Sequence, residues 1–448
     1  MILIKNALAL EFDPPRIREG MNILIENDRI KEVSSTAALP AGEAGKTIDA
    51  RGGLVFPGIV CSHNHYYSGL ARGIMADIGP TPDFVSTLKN LWWRMDRALD
   101  EDSLYSSGLI CSLDAVRAGT TSVIDHHAGP SCIEGSLATL KSAFEKVGLR
   151  GASCYEVTDR NGRDEMLRGV KENIDFAKMV DKEKADGTGP GLFEAHIGAH
   201  APCTVPEEGL ELLADAVKQT GKGLHIHVAE DRYDVSHSHV NYGKDLIRRL
   251  DDSGIINDKS LIVHGIFLSP EEIEIINDRD AFLVHNSRSN MNNGVGYNKN
   301  LPLLKNLALG TDGIGNDMFE EFKFAYFKHK DAGGAWWPGD FLSALQNGNR
   351  ILERNFGKPF GRLEEGYTAD IVIADYNAPT PLVPENIAGH MAFGMGSSIV
   401  RTVVIGGNIV LEERKFPEER FPEGVEAIYA KARKDGKAMW ERMNTIAP

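Results

Sequence analysis

Through the first 56 residues, apolar and polar positions alternate in short runs at 2–8, 21–26, 29–33, 46–49 and 54–56. In Asn22-Ile23-Leu24-Ile25-Glu26 every second side chain falls on one face, the period of a half-buried strand, and Asn27-Asp28 supplies hairpin-turn chemistry. From Pro57 the rhythm changes. Eight β-rich runs, at 56–62, 120–125, 149–155, 193–200, 223–228, 260–264, 281–286 and 306–311, alternate with longer segments of helical spacing. These segments carry their own punctuation. Ser269-Pro270-Glu271-Glu272 sets a cap, a first-turn proline and a reciprocal glutamate ahead of Ile273, Ile275 and Ile276. Residues 204–207 carry a similar signal ahead of Leu210, Leu212 and Leu213, and Gly221 suits the stop.

Eight β/α repeats imply an α/β fold, a parallel (β/α)8 TIM barrel with its chemistry where the strands end. After about residue 365 strands return without long helices, at 370–375 and at 400–411 with a Gly406-Gly407-Asn408 turn; a helix over 425–443 follows. The two ends resemble each other more than either resembles the middle. The expectation is a small β-sandwich domain built from 1–56 and 366–448, around a catalytic barrel over 57–365.

Composition narrows the function classes. The 448 residues are 42% hydrophobic and 25% charged, ordinary for a globular protein, and the net charge of -15 disfavours a nucleic-acid surface. Cys61, Cys111, Cys132, Cys154 and Cys203 are odd in number and free of any C-x-x-C pair, which suits a reduced, cytoplasmic protein. The N-terminus lacks a basic segment followed by a long apolar one, so neither export nor membrane insertion is predicted.

Three histidine pairs share the spacing i, i+2: His63/His65, His225/His227 and His237/His239. On a strand such residues point to one face, about 6.6 Å apart, so their imidazoles can converge on one ion. His63 and His65 end an apolar run, where a barrel builds its site. His227 lies nearer its strand's end and is followed by Glu230, a carboxylate placed for proton transfer; His225 fits an interior role better. His237 and His239 lie in a polar stretch and read as a solvated loop. Two further runs end in single groups, His264 and Asp312. Alone, each suits a structural histidine or a helix cap; together with the histidines that end the first and fifth runs they suggest a shared site.

Pro57-Gly58-Ile59-Val60 before His63-x-His65, His227-x-x-Glu230, His264, His285-Asn286-x-x-Ser289-Asn290, Gly310-Thr311-Asp312-Gly313 and Gly366-Tyr367-Thr368-Ala369-Asp370 resemble, in order, the motifs of the amidohydrolase superfamily. The branch is that of the cytosine, guanine and S-adenosylhomocysteine deaminases and the triazine chlorohydrolases, and the likeness covers nearly the whole chain. It implies one divalent metal held by His63, His65, His227 and Asp312, with zinc the first choice and iron the alternative. Family members with two metals bridge them with a lysine from a middle strand; runs 149–155 and 193–200 contain none, which speaks for one metal.

The implied reaction is hydrolytic deamination of a small, purine-like or related nitrogen heterocycle by a metal-bound hydroxide. Asp312 accepts a proton from that water, His264 orients it, and Glu230 protonates a ring nitrogen. Arg72, His200, Trp92 and His126 are candidate substrate contacts. For Arg72 a surface ion pair is the competing reading, for Trp92-Trp93 core or subunit contact, and for His126 or its neighbour His127 a structural role. Ring opening or halide displacement by the same hydroxide is the enzyme alternative, and a catalytically silent barrel serving as a partner subunit is the alternative from another class. The resemblance also suggests a homo-oligomer. Ser287 stands where the family usually has proline, and Gly313-Ile314-Gly315-Asn316-Asp317 replaces its usual serine and asparagine run. Both departures fall beside the pocket and weaken any substrate taken over from guanine or cytosine deaminase.

Overall fold

The computed structural model describes residues 1–41 and 45–447. The N-terminal alternation becomes a meander in which Ile2–Phe12 pairs antiparallel with Pro15–Glu26, and Pro15–Glu26 with Arg29–Ser34. The first two strands run past the stretches 2–8 and 21–26 that alternation marks. Their added residues bury Ala9, Leu10 and Phe12, and the polar ones among them are held: buried Glu11 accepts a hydrogen bond from Arg18 on the facing strand at 2.9 Å. Both ends of the chain enter this sheet, whose order runs Asn408–Leu411, Val400–Ile405, Ile371–Ala374, Leu54–Pro57, Ile2–Phe12, Pro15–Glu26, Arg29–Ser34, with Lys46–Asp49 also paired to Ile2–Phe12. The period of two decides what is buried: Ile2, Ile4, Ile23, Ile25, Val55, Ile371 and Ile373 share one core.

Residues between these ends form parallel strands separated by helices. In chain order they are Ile59–Asn64, Thr120–Asp125, Arg150–Ser153, a fourth in two pieces (Phe193–Ala195 and Ile197–Ala199, divided at His196), Leu224–Val228, Leu261–His264, Phe282–His285 and Leu307–Leu309. The first four, through Phe193–Ala195, make one sheet, and Ile197–Ala199 onward make a second. The eighth strand returns to the first: the amides of Thr311 and Asp312 both donate to the His63 carbonyl at 3.0 Å. Gly310 permits this approach, because a Cβ there would lie 2.5 Å from Asn286 Oδ1 and 2.9 Å from His63 backbone. Below the strand ends, Ile124, Ala152, Leu261, Val263, Phe282, Val284 and Ala308 pack into an apolar plug, and the site's polar groups collect above it.

Two local expectations change. Residues 232–242 form a helix, Arg232–Tyr242, capped by Asp231, rather than a loop; exposed His239 pairs with Asp245 at 3.1 Å. The helix after 204–207 begins at Glu207 with no side-chain cap, because the Thr204 hydroxyl donates to the Ala201 carbonyl and meets His200 instead. The Ser269 signal does form a capping box: Ser269 accepts from the Glu272 amide at 3.2 Å, and Glu272 accepts from the Ser269 amide at 3.0 Å. Among the described residues no helix is long and apolar enough to cross a membrane.

Candidate metal centre and active site

His63 and His65 leave the first strand, and His227 the fifth, with their rings turned to one another. In each, Nδ1 is already engaged. His65 Nδ1 donates to the His126 carbonyl (2.7 Å), His227 Nδ1 to the His200 carbonyl (2.8 Å), and His63 Nδ1 meets His225 Nε2 (2.9 Å). A carbonyl can only accept, so His65 and His227 carry their protons on Nδ1 and present bare Nε2 lone pairs. His225 fixes His63 the same way if it accepts, and His63 Nε2 is buried without a hydrogen-bond partner.

These lone pairs converge. His65 Nε2 lies 3.2 Å from His227 Nε2 and 3.1 Å from Asp312 Oδ1, which is 3.9 Å from His63 Nε2. Two donors about 2.1 Å from a tetrahedral zinc ion stand about 3.4 Å apart, so the set has the size of a site for one such ion. Burial and the neighbouring imidazoles push His63 well below the usual histidine range, and burial also lowers His227. Burial opposes charge on His65 too, but hydrogen bonds to Asp312 and Glu156 raise it well above that range. A proton and a divalent cation are alternative occupants of the same lone pair.

His126 also brings a ring nitrogen within 4.8 Å of those of His63, His65 and His227. Its ring stacks on His225, centroids 4.3 Å apart and planes 19° apart, on the interior side of the centre. It is fully buried and outside the cavity lining, among the interior histidines rather than on the wall where a substrate contact was expected. The same stacking argues against His126, Cys154 and His225 as a second centre, since near-parallel rings hold their lone pairs in separate planes.

The other groups arrive on turns. Ala229, His264 and Asp312 adopt φ of 52°, 70° and 54°, left-handed conformations that cost L-residues about 1 kcal/mol or more each. These turns lie where the fifth, sixth and eighth strands end. His264 Nδ1 donates to Asn290 Oδ1 (2.8 Å), leaving Nε2 3.5 Å from Glu230 Oε2 and 3.7 Å from Asp312 Oδ2. Burial first, and then the Asp312 charge, push the Glu230 carboxyl up to about 8, so it holds its proton at neutral pH.

Above the centre opens a cavity of about 940 Å³ including its mouth. Phe84, Val85, Leu88, Trp92, Trp93 and Tyr233 supply an apolar wall; His65, His227, Glu230, Asp312 and His200 reach the polar side. Trp92 and His200 therefore lie where substrate contacts were expected. Arg72 does not: its side chain is 64% exposed, pairs with Asp114 at 2.8 Å and is absent from the lining.

Three polar groups escaped sequence reading. Glu156 meets His65 Nδ1 at 3.2 Å; burial opposes its charge, but His65, with His227 and His200, holds it down at about 2. Arg160 lines the cavity, packs its guanidinium 5.0 Å over the Trp93 ring and forms a buried ion pair with Asp96. The third run ends at Tyr155, so Glu156 at least follows a strand end; Asp96 and Arg160 carry no such local mark.

The profile of the amidohydrolase family matches residues 54–410. The chain belongs to that family. A 5-methylthioadenosine/S-adenosylhomocysteine deaminase of Thermococcus sibiricus is 30% identical over 92% of this chain and 94% of its own. A 5'-deoxyadenosine deaminase of Methanosarcina mazei is 29% identical over 93% and 96%. Among solved structures, an adenosine deaminase from Xanthomonas campestris with bound zinc superposes with a TM-score of 0.82 at 23% identity, covering 99% of both chains. An atrazine chlorohydrolase from Arthrobacter aurescens, complexed with zinc and atraton, gives 0.78 at 21% identity over 97% of this chain and 100% of that one. Those likenesses give this amidohydrolase an α/β fold of TIM-barrel type.

Proposed function

We propose that this amidohydrolase is a metal-dependent aminohydrolase that deaminates a purine-like or related nitrogen heterocycle. The observation that carries the reading is the convergence of His63 Nε2, His65 Nε2, His227 Nε2 and Asp312 Oδ1 beside His264 and a protonated Glu230, under an aromatic wall. The names of the deaminase relatives agree with it. So does a local likeness of residues 61–75, 90–96 and 282–297 to the aminohydrolase SsnA, which leaves the substrate open.

His63, His65, His227 and Asp312 would hold one divalent ion, zinc by analogy with the neighbours that contain it. Such an ion supplies the Lewis acidity that makes water a nucleophile near neutral pH. The chain's own groups handle protons and geometry. Asp312 Oδ2 takes a proton from the attacking water, and His264 Nε2 orients that water toward the ring carbon. Glu230 gives its proton to the adjacent ring nitrogen as the carbon–oxygen bond forms. When the exocyclic carbon–nitrogen bond breaks, Asp312 returns its proton to the amino group, which leaves as ammonia, and the new hydroxyl gives its proton to Glu230 as the carbonyl forms. The Trp92 and Trp93 wall suits a flat ring, and His200 is placed to bond it: its Nδ1 faces the Thr204 hydroxyl at 2.7 Å, leaving Nε2 for the cavity.

The finer architecture belongs to the same proposal. We read 57–365 as a closed eight-stranded barrel, supported by the Asn64–Asp312 bridge, and 1–56 with 366–448 as a β-sandwich domain, supported by the sheet that both chain ends enter. Exposed Phe324, Phe327 and Phe393, with Phe327 and Phe393 rings 5.8 Å apart, support a homo-oligomer contact, and five free cysteines support a cytoplasmic location.

The test is metal removal and readdition while ammonia and product mass are followed over purines, pyrimidines and triazines. Ammonia with an intact ring, lost with the metal and restored by zinc, is the expected result. Ammonia release indifferent to complete metal removal would sink the proposal; an opened ring or released halide would redirect it to those reactions.

A further inference from the structure

One short helix, Ser287–Asn292 with Asn293 as its C-cap, touches all three proton-handling groups. Ser289 Oγ donates to Asp312 Oδ2 (2.6 Å), Asn290 Oδ1 accepts from His264 Nδ1 (2.8 Å), and Asn293 Nδ2 donates to Glu230 Oε1 (3.2 Å) and approaches Ser289 Oγ (3.4 Å). The Ser289 hydroxyl spends its only hydrogen on Asp312, so it can only accept from Asn293. The four contacts are therefore mutually consistent in direction.

We propose that Asn293 is a positioning residue that decides which oxygen of Glu230 carries the proton. A protonated carboxyl has one oxygen that donates and one that only accepts, and an amide N–H can pair only with an acceptor. Oε1 faces Asn293 and is the accepting oxygen, so the proton resides on Oε2. That oxygen lies on the side of His264 Nε2, 3.5 Å away, and of the cavity. Without the amide the carboxyl can rotate, and nothing then holds the proton on the oxygen that faces a ring nitrogen. The groups surrounding Glu230 are His227 and His264 from their strand ends, Asp312 from the eighth turn and Asn293 from the helix. Asn293 also lines the cavity, so its position couples to the bound ring. Ser289 and Asn290 hold Asp312 and His264 from the same element, which keeps donor, acceptor and orienting group in one register.

This inference rests on reading Glu230 as the proton carrier, and the experiment separates the two. Zinc-loaded protein is assayed by ammonia release on whichever aminopurine the wild type turns over best. Asn293→Ala is expected to lower kcat by about ten- to a hundredfold, the scale of one lost hydrogen bond to an ionisable group, with KM within about twofold and metal content unchanged. The alkaline limb of its kcat/KM profile should move to higher pH, because the amide favours the ionised carboxylate and its removal does not. Asn293→Gln, which keeps an amide donor on a longer stem, should recover part of kcat. A kcat and pH profile like the wild type's in Asn293→Ala, beside an inactive Glu230→Gln, overturns the role of Asn293. Equal losses in Asn293→Ala and Asn293→Gln, with metal lost and the limb unmoved, also overturn it, in favour of a structural part. Full activity in Glu230→Gln instead overturns the proton-carrier reading itself.

Discussion

At the scale of the residue, one carboxyl differs from its neighbour by what surrounds it. Glu230 and Asp312 are both buried, yet contact with His65 holds Asp312 far below the carboxylate range while burial and the Asp312 charge raise Glu230 to about 8. Two groups of one chemical type thus differ in charge at pH 7, Glu230 neutral and Asp312 anionic, as an acid and a base must. Glu230→Gln should retain the metal and lose about a hundred- to ten-thousandfold in kcat, the usual share of a general acid; elemental analysis beside the ammonia assay checks both. Loss of metal would mean that Glu230 is a ligand. The pH sign follows from the same burial. The acid works while protonated, so turnover should persist below about 8 and fall as pH rises through that value. A cation at the neighbouring centre draws the carboxyl lower and begins the fall earlier. A rate that climbs steadily to pH 10 would remove Glu230 from this role.

What could be read from the sequence at this scale was whatever ends a strand. His63, His65, His227, His264 and Asp312 each close an apolar run, and the structure brings all five together. Arg72 also follows a strand, but nothing periodic constrains a loop's path, and it turns outward to Asp114. Asn293 and Arg160 had no signal because their partners, Glu230 and Asp96, lie 63 and 64 positions away in sequence.

At the scale of the element, turns rather than strands aim the site. Apolar, β-rich runs located these strands; they say nothing of the left-handed residues after them, since the general enrichment of histidine and aspartate at positive φ is too weak to single out His264 and Asp312. Helix Arg232–Tyr242 was missed for a related reason. Only Asp234 and Ser238 are buried in it, so no apolar stripe marks its face. The eighth turn offers the sharpest test of this view. Gly310 has no room for a side chain against Asn286 and His63, so Gly310→Ala must push the eighth strand from the first by a fraction of an ångström. The Asp312 turn moves with it. We expect weakened metal retention and a kcat loss of about tenfold or more, with less than about 3 kcal/mol lost in unfolding stability, read by elemental analysis and denaturant titration. Unchanged metal affinity would show that the turn, not the strand spacing, sets the ligand.

At the scale of the whole molecule, a sheet made from both chain ends must be fastened to the strands between them. Arg150, which opens the third strand, reaches Asp370, just before the interior strand Ile371–Ala374 of the terminal sheet, through two bonds, Nε to Oδ2 at 2.7 Å and Nη2 to Oδ1 at 3.0 Å. Asp370 Oδ1 also accepts the Gly406 amide at 2.7 Å, and the guanidinium lies 4.9 Å over the Phe360 ring and 5.2 Å over Phe356. Both members are buried, so neither can recover hydration if the other is lost. Replacing the pair by apolar groups of matching shape can be neutral, whereas removing one partner strands a charge, at about 3 to 5 kcal/mol. Asp370→Ala should therefore destabilise the protein by about that amount in urea titration. Arg150→Met with Asp370→Leu should recover most of the loss. The centre lies at the opposite ends of these strands, so kcat and metal content should stay near wild type in whatever fraction remains folded. A loss below about 1 kcal/mol for Asp370→Ala would mean that apolar contacts around Phe356 and Phe360 alone join the two parts. Recovery without the second substitution would mean that water reaches Arg150.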